Sequence, residues 1–348
     1  MPELFVTNFN RNFTGVSATA ANVIRQQADR YDLRLVGYPL PGCPDPITLR
    51  QARAQSRNTS GRPFAVWHVR RNTEMRAAIW ARDVLKLPIR VIFTSAAQRR
   101  HSMVPRWMIS RMDAVVATSA AAAGFVPHVR ATVSHGVDTD RITPAADRAD
   151  AWQAMGYGGT MGIATIGRVR PEKGTDLFVD TMLRLLPDLP EATALVVGRP
   201  TREHQKFDLL LKDKVQRAGM IHRIRFIGEL PPDRLTSLLQ GLSLVMQLPR
   251  YEGYGMAPLE GMAAGVPFVA SEAGHYSEFS AQGRTGMVVP QDMPQAAADA
   301  ANSLLTDPAR HAEMSQNARM LAETSFSARA EADGIDAVYQ SLWSESAN

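Results

Sequence analysis

The segment RYEGYGMAPLEGMAAG, residues 250–265, sets two carboxylates eight positions apart, Glu252 and Glu260, with Gly253 and Gly255 just behind the first. Ionised carboxylates only accept hydrogen bonds, so a pair of them suits a ligand rich in hydroxyl groups. Pro258 fits the first position of a helix, which makes Ala257 the N-cap and puts Glu260 in the first turn. On a plain surface helix Glu260 would simply favour the helix dipole, by ~0.3–1 kcal/mol. An alanine cap supplies no side-chain oxygen, however, and leaves first-turn N–H groups open for a phosphate. The two glycines let backbone come close to something bulky. A nucleoside diphosphate joined to a sugar, with phosphates in the middle and diols at both ends, satisfies this pattern. A surface turn running into a helix satisfies it too.

Two further stretches offer complementary charge. In IGRVRPEKGTDLF, Arg168 and Lys173 lie on a strand-to-helix loop, where a planar fork and a point charge can clamp a diphosphate or merely be solvated. The order Lys then Gly excludes a P-loop, which ends G-K-[ST]. In TNFNRNFTGVSATAANVIRQ, Gly15 sits at a turn before a helix, where it either shapes the turn or lets a loop close over phosphates. Other patterns lead nowhere: GYGGTMG precedes a strand instead of following one, and the histidines lack zinc spacing on a helix. Asp138 and Asp140 form an Asp-x-Asp remote from the phosphate candidates, so no metal site is expected.

The elements that must position these groups follow from the hydropathy pattern. Short apolar runs (LFVTN, LRLVGY, PFAVWHV, IRVIFT, DAVVATS, ATVSHG) alternate with helix-like segments at 17–30, 73–85 and 105–112. The rhythm breaks over the polar, Gly-containing stretch 136–159 and then restarts with MGIATIG, TALVVG, IRFIG, LSLVMQ and PFVAS as strands. Strand and helix in alternation imply a parallel sheet covered on both faces. The expectation is an α/β chain of two doubly wound, Rossmann-like domains, 1–150 and 151–348, facing across a cleft. Residues 328–343 read as a last helix able to pack back on the first domain.

Composition narrows the class. The chain has 348 residues, a single cysteine, Cys43, and no apolar run long enough to span a bilayer, so a cytoplasmic protein without disulfides is expected. The net charge of +5 is the sum of +10 over residues 1–150 (21 Lys+Arg, 11 Asp+Glu) and −5 over 151–348 (18 and 23). A basic first half with arginines at 70, 71, 99 and 100 should attract an anionic partner or form a solvated surface. Aromatic residues do not interleave with those arginines as in single-strand binders, so no nucleic acid is expected.

IGRVRPEKGTDLF, FIGELPPDRL, YEGYGMAPLEGMAAGVPFVAS and GRTGMVV together resemble the retaining family 4 glycosyltransferases of the GT-B fold. HVRRNTEM, IFTSAAQRRH and MDAVVATS with SHGVD resemble the bacterial lipopolysaccharide core mannosyltransferases that use GDP-mannose. The resemblance implies that Arg168 and Lys173 bind the diphosphate, Glu260 the ribose, and Glu252 the transferred sugar. It also places Gly253, Tyr254 and Gly255 close to sugar and phosphate, Gly15 on the N-terminal glycine loop and Leu230 near the base. The implied reaction is hexose transfer from a nucleotide sugar to an anionic Kdo-lipid A type acceptor, retaining, without metal or cofactor. It would take place at the cytoplasmic face of the inner membrane, with peripheral contact to it. His68, Arg70, Arg71, Arg99 and Arg100 are the acceptor-binding candidates. His68-x-Arg70 stands where many relatives have His-x-His, and Thr94 where a second histidine is expected. A UDP-hexose transferase, a GT-B sugar-nucleotide epimerase and a non-enzymatic anion binder are the alternatives.

Overall fold

Most apolar runs of four to seven residues become strands buried on both faces, as a parallel sheet between helices requires, whereas the outermost strands of each sheet are more open. The computed structural model describes residues 2–59 and 61–345, and among these it holds two six-stranded sheets, every pairing parallel. The first comprises β1 (Leu4–Asn8), β2 (Leu33–Gly37), β3 (Ala65–Val69), β4 (Ile89–Ser95), β5 (Ala114–Ala117) and β6 (Val129–Thr132), in the order β2-β1-β3-β4-β5-β6. The second comprises β7 (Met161–Ile166), β8 (Ala192–Val197), β9 (Ile224–Gly228), β10 (Leu242–Gln247), β11 (Phe268–Ser271) and β12 (Gly286–Val289), in the order β12-β11-β10-β7-β8-β9. Strand order reverses between β1 and β3 in one sheet and between β7 and β10 in the other. Beyond the carboxyl ends of such strand pairs the flanking loops part and leave a crevice for ligand.

One compact unit runs to Asp138 and resumes at Phe326; the other spans Thr139–Ser325. In the first, one sheet face (Leu4, Val6, Val66, Ile92) is covered by the helices Gly15–Gln27 and Ala328–Glu345. Phe5, Trp67 and Val91 on the other face pack against Met75 and Ala78 of Asn72–Ile79 and Met108 and Ile109 of Met103–Ile109. The returning chain is fastened next to its exit: Val137 N–H donates to the Phe326 carbonyl at 2.8 Å, and Ala328 N–H to the Val137 carbonyl at 2.7 Å. Gly136 permits this contact, since a Cβ there would stand 2.2 Å from the Ser327 carbonyl oxygen.

The unit boundary thus falls after Asp138 and not at 150. The reason is Trp152, 1% exposed and the one buried residue of the helix Arg148–Met155, whose indole occupies the space that Gly162 of β7 leaves open. That burial draws the stretch read as linker into the second unit. Helix limits also shift: Asn72–Ile79 gives way to a π-turn at Trp80–Val84, and the segment expected at 105–112 forms as Met103–Ile109. Residues 276–327, unassigned from sequence, supply Tyr276–Ser280, β12, Pro294–Leu305 and Pro308–Ser325.

Candidate active site

Arg168 lies two residues past β7, Lys173 ends the 3-10 turn Pro171–Lys173 that follows, and Glu252 lies five residues past β10. Since β7 and β10 are the strands between which order reverses, all three occupy the ligand edge of the second sheet. The two loops meet: Lys173 Nζ donates to Glu252 Oε2 at 2.5 Å, the side chains 22% and 17% exposed. Glu252 Oε1 accepts from Gly253 N–H at 3.0 Å, which orients the carboxylate. Arg168 is exposed.

Sequence reading passed over the residue that latches these loops. Arg250 forks onto Asp176 (Nη1 to Oδ1 3.0 Å, Nη2 to Oδ2 2.8 Å), donates to the Pro171 carbonyl at 2.7 Å and reaches Asp292 at 2.8 Å. Its backbone N–H donates to the Glu172 carbonyl at 3.0 Å. Gly174, at φ +64°, lies so close to the β10 loop that a Cβ would come within 1.8 Å of the Leu248 carbonyl oxygen. A charge three residues beyond an apolar strand, with an acid in the first turn of the facing helix, was the available signal.

The helix after the loop begins at Met256, two residues before Pro258. Its N-cap is Gly255, not Ala257, because the chain there takes φ +106° and a Cβ would strike the Tyr276 ring at 2.1 Å. Pro258 is then the third helical residue, still among those whose N–H has no intrahelical partner, so the ring costs no hydrogen bond. Glycine supplies no side-chain cap either, and the helix start stays open toward the loop. Glu260 becomes the fifth residue. It has no ion pair among the described residues, and burial pushes its carboxyl up to about 7. The Tyr254 ring turns inward, stacked on His275 (5.0 Å, 13°) and edge-on to Phe279, so only its backbone faces the loop. Leu230 is half-buried after β9, the outermost strand on that side and one strand removed from β7.

In the first unit, Gly15 is exposed at the start of the helix after β1; a Cβ there would meet nothing within 4 Å, so no internal contact demands glycine. Arg71 fastens this loop: it reaches Asn8 Oδ1 (3.0 Å), Ser17 Oγ (2.8 Å), Thr14 Oγ1 (3.3 Å) and Glu74 Oε1 (2.9 Å). His68 is fully buried, with Nδ1 against the Tyr339 hydroxyl at 2.5 Å and Nε2 against Thr94 Oγ1 at 2.7 Å. Both His68 and Arg71 therefore spend their polar atoms inside the unit. Arg70 is buried, whereas Arg99 and Arg100 are exposed beyond β4. Asp138 accepts two bonds from Arg25, at 3.1 and 2.9 Å, and among the described residues no three potential metal ligands cluster.

The sequence profile of glycosyl transferases group 1 matches residues 158–321, which hold Arg168, Lys173, Glu252 and Glu260. The lipopolysaccharide core biosynthesis mannosyltransferase LpsB of Rhizobium meliloti is 38% identical over 344 residues, 98% of this chain and 97% of that protein. The chain belongs to the group 1 glycosyltransferases. A second relative of this glycosyltransferase, the mannosyltransferase LpcC of Rhizobium leguminosarum bv. viciae, is 39% identical over 98% of the chain and 96% of its own length. A crystal structure of the C-terminal domain of the group 1 glycosyltransferase LpcC from Francisella tularensis is 32% identical, with a TM-score of 0.53 over 55% of this chain and 99% of that one. Anabaena HepE, solved with UDP and glucose, superposes over 98% of the chain and 100% of its own at TM-score 0.83 and 16% identity. The two doubly wound units are those of the GT-B glycosyltransferase fold.

Folded Glu260 holds its proton up to about 7, against an ordinary value of 4.5, so between those values the folded state binds more protons than the unfolded one. Stability must then fall as pH rises through that window, by on the order of 2–3 kcal/mol. Glu260→Gln should melt above the wild type at pH 8 and level with it at pH 4, both followed by thermal denaturation. A constant gap across that range would contradict the raised carboxyl.

Proposed function

We propose that this glycosyltransferase moves mannose from GDP-mannose onto an anionic, Kdo-lipid A type lipopolysaccharide core acceptor, with retention and without a metal. The observation that carries the reading is the Lys173–Glu252 pair at the β7/β10 switch point, beside an uncapped helix start. Two full-length relatives named as lipopolysaccharide core mannosyltransferases support the choice of sugar and acceptor class.

In this reading the diphosphate takes Lys173 from Glu252 and gains Arg168 and the N–H groups at Met256. Glu252, released, accepts hydroxyls of the sugar, and Glu260 accepts ribose hydroxyls, which restore its ionised form. The acceptor oxygen attacks the anomeric carbon on the face the diphosphate leaves. The C–O bond to the phosphate breaks, and the acceptor proton passes to the departing phosphate oxygen. Negative charge builds on that phosphate, so donors fixed around it lower the barrier most.

Contact with the cytoplasmic face of the inner membrane is supported by the helix Met103–Ile109. Met108 and Ile109 anchor it, while Met103, Val104 and Trp107 are 82%, 67% and 59% exposed beside Arg99, Arg100 and Arg106. Exposed apolar side chains with arginines close by in the chain suit an anionic lipid surface, and no helix among the described residues is long and apolar enough to cross a membrane.

Incubation with GDP-mannose or UDP-glucose, with and without Kdo-lipid A, tests the assignment. Acceptor-dependent release of GDP is expected, whereas conversion of the nucleotide sugar without acceptor would indicate an epimerase. Arg168→Ala and Lys173→Ala should each lower turnover ~100- to 1000-fold with unchanged circular dichroism; near-normal rates would remove both from the site. In co-sedimentation with anionic vesicles at low salt, Trp107→Ser should bind several-fold less than wild type, and equal binding would rule out this helix.

A further inference from the structure

Arg70 is the first residue beyond β3, at the reversal of strand order between β1 and β3. It is 7% exposed, and Nε, Nη1 and Nη2 are all buried without a hydrogen-bond partner. A guanidinium stays charged and carries five N–H donors in a planar fork, so leaving every one unmade in the interior is strongly unfavourable. Its neighbour Arg71, by contrast, makes bonds to Asn8, Thr14, Ser17 and Glu74.

Carboxylates stand close to Arg70 yet are committed elsewhere. Glu331 and Glu74 favour its charge, against burial, the largest effect, and Arg71, which oppose it. Glu331 accepts from His135 Nδ1 and Gly136 N–H, both at 2.7 Å. Glu74 accepts from the Thr7 hydroxyl and from the N–H groups of Phe9, Arg70 and Arg71. The Tyr339 hydroxyl is paired with His68. The carboxylates offset only part of the cost of burying this charge, and its hydrogen-bonding fork stays unmade. That combination suits a planar, two-point anion at the ligand edge of the sheet.

We infer that the Arg70 guanidinium receives an anionic group of the acceptor, a carboxylate or a phosphate, as a two-point pair. The inference rests on the reading of the protein as a transferase with an anionic glycolipid acceptor, and it makes Arg70 a determinant of acceptor specificity. Arg99 and Arg100, exposed past the adjacent β4, then serve attraction more than recognition.

Calorimetric titration of the full chain with the methyl glycoside of Kdo, its carboxamide and inorganic phosphate tests this. Wild type should bind the carboxylate or the phosphate and not the carboxamide; which of the two binds identifies the group. Arg70→Lys, which keeps a point charge but loses the fork, should bind at least about tenfold more weakly, and Arg70→Met weaker still. Because no partner is lost, Arg70→Met should melt at or above the wild-type temperature. Probe affinity indifferent to Arg70, or a fall in Tm of more than about 5 °C in Arg70→Met that Lys restores, would make the side chain a structural partner of Glu331 and overturn the inference. GDP-mannose titrated into the same samples separates the two levels. Wild type that binds no donor refutes the transferase reading, whereas donor binding with probe affinity indifferent to Arg70 refutes only this inference.

Discussion

The ion pair between Lys173 and Glu252 ties the loop after β7 to the loop after β10, and the architecture of the second unit can be understood as the means of making it. Two charges of opposite sign, each about four-fifths covered, hold one another in a geometry that neither loop would keep alone. The reversal of strand order parts the flanking helices and leaves the crevice. Arg250 then fixes the spacing of the loops through Asp176, Pro171 and Asp292, and Gly174 lets their backbones touch. In the proposed reading an incoming diphosphate offers Lys173 a stronger partner, and the released carboxylate has the chemistry to take sugar hydroxyls. The same interaction holds both loops in place and, in the proposed reading, sets the two side chains that would meet the donor.

The first unit uses buried polar groups differently. Glu74, fully buried, gathers the backbone after β1 and β3 through Thr7, Phe9, Arg70 and Arg71, so the loop after β1 is tied to the β3 edge. The last helix completes this wiring from the far end of the sequence, with Tyr339 on His68 and Glu331 on His135 and Gly136. Arg30 to Asp333 and Asp336, and Trp343 on the Phe64 carbonyl, seat that helix on the sheet. His68 stands in this network as a buried ring held by two hydroxyls, those of Tyr339 and of Thr94, the latter in the place where a histidine was expected.

Much of this was legible in the chain before any coordinates. Ten of the twelve strands were read where they form, because a parallel strand covered on both faces shows as an unbroken run; β6, read at 131–136, forms at Val129–Thr132 with its side chains half-exposed. The residues at the β7/β10 edge were readable because charge and glycine directly after such runs have few structural uses. What escaped were effects that depend on distant partners. Trp152 looked like linker because its partners, Gly162 and Gly241, lie beyond the stretch around it. Pro258 misplaced the helix start because the decisive contact, Gly255 against the Tyr276 ring, is made across the fold. Arg250 was read past as part of a turn, since Asp176 and Asp292 are 74 and 42 residues away.

A crystal structure with bound GDP-mannose, or with a non-transferable analogue of it, tests the central claim most directly. The account predicts Lys173 Nζ within about 3 Å of a phosphate oxygen and Glu252 turned to the hydroxyls of the sugar. A nucleotide sugar seated away from the β7/β10 edge, or bound there with the Lys173–Glu252 pair intact and no phosphate oxygen in reach, would contradict it.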